Sequence, residues 1–284
     1  MDAITATAAG TITLGDLTVN RMGFGAMRLT GPGIWGEPRD PEEARRVLRR
    51  AVELDVNFID TADSYGPAVS EGLIAEALRP YPADLVIATK GGLLRDGPNL
   101  WRPDGRPSHL REALEGSLQR LGLERIDLYQ LHRPDPAVPY PESVGELVRM
   151  REEGKVRHIG ISNVDEEQLD QALALTEVVS VQNRYNVSDR ASERVLERCE
   201  SLGIAFLPWR PLGAGALTRT ADRLAELAAA HGATPGQLTL AWLLARSRVM
   251  LPIPGTSSVA HLEENIAAAA IRLSHNEVEL LAAA

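Results

Sequence analysis

Between Met22 and Ala269, short apolar runs alternate with amphipathic stretches eight times, and few architectures accept that period. The apolar runs are Met22–Gly25, Phe58-Ile59, Leu85–Thr89, Ile126–Leu131, Val156–Ile161, Val178–Val181, Ile204–Leu207 and Val249–Ile253. Each is too short for a helix and reads as a buried strand. The stretches between them read as helices. They are Pro41–Leu54, Ser70–Leu78 with Ser70 as N-cap, Ser108–Leu121 stopped by Gly122, and Tyr140–Glu153 closed by Gly154. Then follow a helix capped by Asp165 and running through Leu175, Asp189–Leu202, Ala221–His231 with Pro235–Ala245, and Val259–Ala269. Eight strand–helix units in about 260 residues predict an α/β fold closed as a (β/α)8 TIM barrel, with a doubly wound open sheet as the rival.

Ahead of the first unit, Ile12–Leu14, the turn Gly15-Asp16 and Leu17–Val19 alternate as a β-hairpin, expected to cap the barrel bottom. Ser274 starts a short C-terminal helix. With no linker or low-complexity segment, residues 1–284 are expected to form one domain.

Composition narrows the partners. A net charge of −9 argues against nucleic acid, whose phosphates need a basic face. It leaves room for an anionic cofactor held by a few arginines and backbone amides. The single cysteine, Cys199, rules out an internal disulfide, and the six histidines lack metal-ligand spacing, so no metal is expected. Residues 1–10 lack the basic start and apolar core of a signal peptide, and no apolar run reaches the ~18 residues of a membrane span. The expected setting is cytoplasmic, with the chain a monomer or weak homo-oligomer. Lysine is scarce: Lys90 and Lys155 stand among 30 basic residues. A chain so biased to arginine that keeps Lys90 at a strand end points to a use for a compact ammonium there.

In a barrel of this type the active site gathers at the carboxyl ends of the strands. Those positions hold Asp60, Lys90, His132, Ser162-Asn163, Gln182, Trp209 and Gly255-Thr256, and Tyr65 follows Asp60 by five residues. A phenol with pKa near 10 donates its proton poorly unless a neighbouring ammonium brings that value down. Lys90 can do this, with Asp60 holding it by a charge-assisted hydrogen bond, while His132 orients a carbonyl oxygen. The set suits reduction of a small-molecule carbonyl, with hydride from a cofactor, since no side chain carries one. Gly23-Phe24-Gly25 is not a dinucleotide turn, because no helix follows it directly.

The chain resembles the aldo-keto reductase superfamily over essentially its whole length. The resemblance rests on Phe58-Ile59-Asp60-Thr61-Ala62-Asp63-Ser64-Tyr65-Gly66, Ala88-Thr89-Lys90, the segment Leu121 to His132, Gly154 to Asn163, Gln182 to Asn186, and Pro254 to Ser258. The loop Gly25 to Gly36 and the segment Pro254 to Asn265 look most like a bacterial branch related to pyridoxal reductases. The resemblance implies Tyr65 as general acid, Lys90 as its partner, Asp60 as the partner of Lys90, and His132 as the carbonyl-orienting residue. It implies NADPH (NADH being possible), with Ser162, Asn163 and Gln182 on the nicotinamide amide and Trp209 on its ring. Pro211, Leu212, Gly213 and Gly215 would follow the pyrophosphate. Gly255, Thr256 and Ser257 would meet the 2′-phosphate, and Glu264 and Asn265 the adenine. Gly25 and Met27 would complete the cofactor cleft, and Trp35, Trp101, His132 and Arg133 the substrate pocket. One position departs from the pattern: many NADP-preferring relatives carry Arg where this chain has His261, a weaker phosphate ligand. Two alternatives stay open: a cofactor-sensing regulatory subunit of the same fold, and an aldolase using Lys90 as a Schiff-base nucleophile.

Overall fold

The computed structural model describes residues 4–212 and 219–282. A hairpin, β1 (Thr11–Leu14) and β2 (Leu17–Asn20), leads into β3 (Phe24–Gly25), α1 (Pro41–Glu53), β4 (Phe58–Asp60), α2 (Val69–Leu78) and β5 (Val86–Gly91). A second hairpin follows, β6 (Leu93–Gly97) with β7 (Leu100–Pro103), then α3 (Pro107–Leu121), β8 (Ile126–Leu131), α4 (Tyr140–Glu152) and β9 (Val156–Ser162). The chain continues through α5 (Glu166–Leu175), β10 (Ser180–Arg184), α6 (Glu193–Leu202), β11 (Ala205–Trp209), α7 (Arg219–Ala230), α8 (Pro235–Arg246), α9 (Val259–Ala267) and α10 (His275–Ala282).

Seven parallel strands pair in the order β11-β10-β9-β8-β5-β4-β3. The eighth, expected at Val249–Ile253, is not a regular strand, yet this segment closes the barrel. On one side Phe206 N donates to Val249 O (2.8 Å) and Leu251 N to Phe206 O (2.9 Å). On the other, Gly23 N donates to Pro252 O (2.9 Å) and Gly25 N to Pro254 O (3.4 Å). Pro252 and Pro254 accept but cannot donate, so no regular ladder forms. Backbones also come very close here: a Cβ on Gly255 would lie 2.4 Å from Gly25 O. Closure disposes of the open-sheet alternative.

Side-chain alternation decides what faces the lumen. Leu14 and Val19 of the hairpin pack with Phe58, Val86, Ala88, Leu128, Ala205, Leu207 and Leu251 in one buried cluster, which plugs the bottom. Ile59, Ile87, Tyr129, Ile161, Val181 and Phe206 face the helices instead. Two residues on from the lumen positions, the same parity turns Asp60, Lys90, Gln130, Gln182 and Trp209 towards the barrel axis. Apolar staves thus become polar at one level, and that level is the site.

Several local expectations shift. Ser70 is not an N-cap: α2 begins at Val69 after Ala68 in left-handed backbone (φ 68°). Ser70 is buried inside the helix, sharing a hydrogen bond with Thr61 Oγ1 (2.8 Å). The helix expected from Asp189 starts at Glu193, because Asn186 and Asp189 form a tight backbone bridge first. The strand expected over Val178–Val181 runs over Ser180–Arg184, and α4 ends at Glu152 with Glu153, not Gly154, as its C-cap. The β6–β7 hairpin was not expected; its alternation is weak and broken by Gly97 and Pro98. Asp165 caps α5 with a full capping box to Gln168. Among the described residues, no helix is long and apolar enough to cross a membrane.

Candidate active site

At the polar level of the lumen, Lys90 Nζ donates to Asp60 Oδ2 (2.6 Å), to Thr61 O (2.8 Å) and to Tyr65 Oη (3.4 Å). The Lys90 side chain is 0% exposed and that of Asp60 3%. The second Asp60 oxygen accepts from Gln182 Nε2 (2.7 Å) and Gln130 Nε2 (3.0 Å). The ion pair is therefore buried and saturated with hydrogen bonds, the arrangement in which removal from water is best compensated. β4 ends at Asp60, and the next turn brings Tyr65 back over Lys90, with Tyr65 N bonded to Ala62 O (3.2 Å).

Burial opposes the charge on Lys90, but Asp60 and then Tyr65 outweigh it, so the ammonium sits above its usual pKa. Tyr65 goes against expectation. Burial pushes its phenol up, and Lys90 offsets this only in part because Asp60 acts in the opposite direction. Burial has the largest effect, so Tyr65 is protonated throughout the neutral range. His132 is driven well below its usual value by burial, then by Lys90, Arg133 and Arg95, and is neutral. Its ring lies edge-on to Tyr65, centroids 5.8 Å apart, and its Nδ1 is 3.4 Å from Ser64 Oγ. Trp101 stands edge-on to both, 6.5 Å from each. A protonated phenol and a neutral imidazole thus share one buried corner, bordered by an indole.

A cleft of about 270 Å³ opens beside this corner, lined by Gly25, Met27, Arg28, Asp60, Tyr65, Gln182, Trp209, Arg210, Pro211, Leu212 and Gly255 among others. A second cavity of about 340 Å³ shares Met27 and Arg28 with it and reaches Ser257. Trp209 Nε1 donates to Asn163 Oδ1 (3.1 Å), and Asn163 Nδ2 donates to Ser162 Oγ (2.9 Å) and His132 O (3.0 Å). Ser162 Oγ donates to Gln182 O (2.7 Å). Ser162, Asn163, Gln182 and Trp209 are thereby one connected wall. Thr256 is buried, its Oγ1 accepting from Ser258 N (3.1 Å), and Asn265 is buried too. Glu264 accepts from Thr234 Oγ1 (2.6 Å), which occupies one of its oxygens. His261 and Arg133 are exposed. Trp35 is 37% exposed and flanks Arg95. Gly213 and Gly215 lie outside the described residues.

Sequence reasoning missed Gln130, Arg28 and the acidic pocket under the loop. Gln130 had a signal: an amide inside an apolar strand, at the parity of His132. Glu71 is fully buried, accepting from Thr89 Oγ1 (2.6 Å) and paired with Arg120 (2.6 Å). Near it, Asp63 Oδ1 has no hydrogen-bond partner among the described residues, and burial, then the charge of Glu71, push this carboxyl up to about 8. A raised carboxyl binds a proton in the folded state that the unfolded chain releases, so its contribution to stability falls as pH rises from about 4 to about 8. Asp63→Asn removes that slope. The gain in Tm over the parent chain is expected to be larger at pH 8 than at pH 5, by thermal melts at both. His132, with its depressed pKa, lowers stability below its usual value near 6.5, but does so in both proteins and cancels. Equal gains at the two pH values would show that Asp63 is not protonated.

Comparison with known proteins supplies a further line. Residues 21–284 match the Aldo/keto reductase family. An uncharacterized oxidoreductase of Schizosaccharomyces pombe is 53% identical over 272 residues, covering 96% of this chain and 89% of its own. Pyridoxine 4-dehydrogenase of Escherichia coli is 44% identical over 281 residues, covering 96% and 98%. A crystal structure of an aldo/keto reductase from Klebsiella pneumoniae, in complex with NADP and acetate, superposes with a TM-score of 0.80 at 28% identity, covering 95% of this chain and 93% of its own. The fold, the polar strand ends and these matches agree: the chain belongs to the aldo/keto reductase family.

Proposed function

We propose that the chain is an NADPH-dependent oxidoreductase that reduces an aldehyde or ketone to the alcohol, with Tyr65 as general acid. The observation that carries this is the buried contact of Lys90 with both Asp60 and Tyr65, facing a neutral His132. Tyr65 holds a proton at Oη for the carbonyl oxygen. Lys90, kept charged by Asp60, stabilises the phenolate left behind. His132 offers an N–H to the same oxygen and orients it. When bound, a nicotinamide cofactor supplies the hydride.

The residues present suit such a cofactor. The cleft beside Tyr65 is lined by Trp209 and Gln182 and by the cations Arg28 and Arg210. Arg28 joins it to the second cavity, so a long anionic ligand meets cations along its path. Ser162, Asn163, Gln182 and Trp209 would hold the nicotinamide end, Pro211 and Leu212 the pyrophosphate, and Thr256 and Ser257 the adenosine phosphate. Substrates are aldehydes with a planar or apolar group, admitted past Trp35 and Trp101; pyridoxal and other aromatic aldehydes fit that description.

A screen of aldehydes, pyridoxal included, following NADPH oxidation with NADH as control tests the proposal. Turnover of 4-nitrobenzaldehyde supports it, and inertness towards every carbonyl would favour the sensing role. The aldolase reading is opposed by the state of Lys90: a buried, hydrogen-bonded ammonium is no nucleophile. For cofactor choice, His261→Arg is expected to tighten NADPH about tenfold while leaving NADH nearly unchanged, since Arg adds charge-assisted donors for the 2′-phosphate that NADH lacks. Fluorescence titration with both cofactors reads this out, and parallel changes would mean residue 261 does not sense the phosphate.

A further inference from the structure

Arg95 lies on β6, outside the Asp60–Tyr65–Lys90–His132 group, and each of its donor nitrogens ends on backbone carbonyls. Nε donates to Leu100 O (3.2 Å). One terminal nitrogen donates to Ile34 O and to Ser64 O (3.0 Å). The other donates to Gly33 O (2.8 Å) and Gly97 O (3.2 Å). These bonds match the five N–H groups a guanidinium owns. The carbonyls come from three separate loops: the one after β3, the one after β4 that carries Tyr65, and the turn of the β6–β7 hairpin.

The guanidinium also covers indole rings, its carbon 3.6 Å from the centroid of Trp101 and 5.6 Å from that of Trp35. Trp101 in turn meets the edges of Tyr65 and His132. The loop after β3 does not hold its shape by local preference: Ile34, a β-branched residue, is in left-handed backbone (φ 57°), directly after Gly33 (φ 70°). Such a conformation persists only where the surroundings impose it. Arg95 grips the carbonyls of both residues, Asn99 N donates to Gly33 O (2.9 Å), and Gly36 N donates to Gly66 O (2.6 Å). Burial lowers the pKa of Arg95, and among the described residues no carboxylate counters it. Charge pairing is therefore not what this arginine does, and with all its N–H groups engaged it has no fork left for an anionic substrate.

We infer that Arg95 is a positioning residue that sets substrate range, fastening three loops so that Trp101 stands as a fixed wall beside Tyr65 and His132, with Trp35 on the other side of the guanidinium. This rests on the carbonyl reduction proposed above and deepens it. The wall matters for an aldehyde bearing a planar ring, which must be held against it. It matters little for a small aliphatic aldehyde, which needs only the oxygen-binding corner.

The test compares 4-nitrobenzaldehyde with propanal, using NADPH, in the full chain and in Arg95→Ala, Arg95→Lys and Trp101→Ala. In Arg95→Ala the ratio of kcat/KM for 4-nitrobenzaldehyde to that for propanal is expected to fall at least about tenfold, through KM, with NADPH affinity unchanged. Lysine, a point charge with three donors, is expected not to restore the ratio. Trp101→Ala leaves Arg95 in place and is expected to show the same fall, which keeps the inference testable if Arg95→Ala does not fold. Equal losses on both aldehydes, or full recovery with lysine, would overturn it. Hydrogen exchange gives a readout independent of turnover: in Arg95→Ala, amides in 33–36, 64–66 and 97–101 are expected to exchange faster together. Faster exchange in only one of these loops would also overturn it. Should the parent chain reduce neither aldehyde, the proposed reaction is what fails, and exchange still decides the role of Arg95.

Discussion

Tyr65→Phe is expected to bind NADPH as the parent chain does and to lose at least ~10²-fold in the rate of reduction, the usual scale for removing a general acid. The substitution deletes one oxygen from a ring whose packing against Trp101 and His132 does not depend on it. The fold should therefore survive, and only the proton is lost. The rate is best taken from a single turnover, because product release limits many enzymes and would hide part of the effect. Since burial holds the phenol above its usual pKa, the parent rate of reduction should be level through neutral pH. A variant with near-parental single-turnover rates would remove Tyr65 from the mechanism.

Asp60→Ala strikes both stability and chemistry. It leaves Lys90, fully buried, with Thr61 O and Tyr65 Oη but no counter-charge. Breaking one side of a buried ion pair costs about 3–5 kcal/mol, because the remaining charge has no compensation. Denaturant melts should show a loss of that order, and kcat should fall at least ~10²-fold with it. Replacing both partners, as Asp60→Leu with Lys90→Met, should recover most of the stability and none of the activity. If the double variant is as unstable as Asp60→Ala, packing and not charge accounts for the loss. If Asp60→Ala alone retains full activity, Lys90 does not need its partner.

The barrel and the residues at its polar level were legible in the sequence because both follow from short-range pattern. Strand parity sends Asp60, Lys90 and Trp209 inward once Phe58, Ala88 and Leu207 are taken as lumen-facing, and the chain states that parity openly. What depends on long-range geometry was less visible. Ser70 has the residue type of an N-cap, but α2 starts one residue earlier and its hydroxyl turns inward to Thr61. The eighth stave was read as an ordinary strand over Val249–Ile253, although Pro252 within it and Pro254 directly after it both lack a donor. The pKa of Tyr65 could not be read from the presence of a lysine, since burial raises it and Asp60 opposes what Lys90 does. Arg95 was invisible for a similar reason: its partners are backbone carbonyls, and carbonyls carry no sequence signature.

The proline-bearing seam also bears on how the chain reaches its final shape during synthesis. Gly23 bonds to Pro252, and the Arg21 side chain reaches Met250 O (3.2 Å) and Leu244 O (2.9 Å), across more than 220 residues of intervening chain. The staves made first therefore wait with one raw edge until the chain has been made past Pro254. An exposed sheet edge invites pairing with another chain. Two prolines in the last stave answer part of that hazard, since a segment that lacks those donors makes a poor template for a stranger's strand yet still offers its carbonyls to Gly23 and Gly25. The irregularity that spoils the eighth strand as a strand suits it to be the one that arrives last.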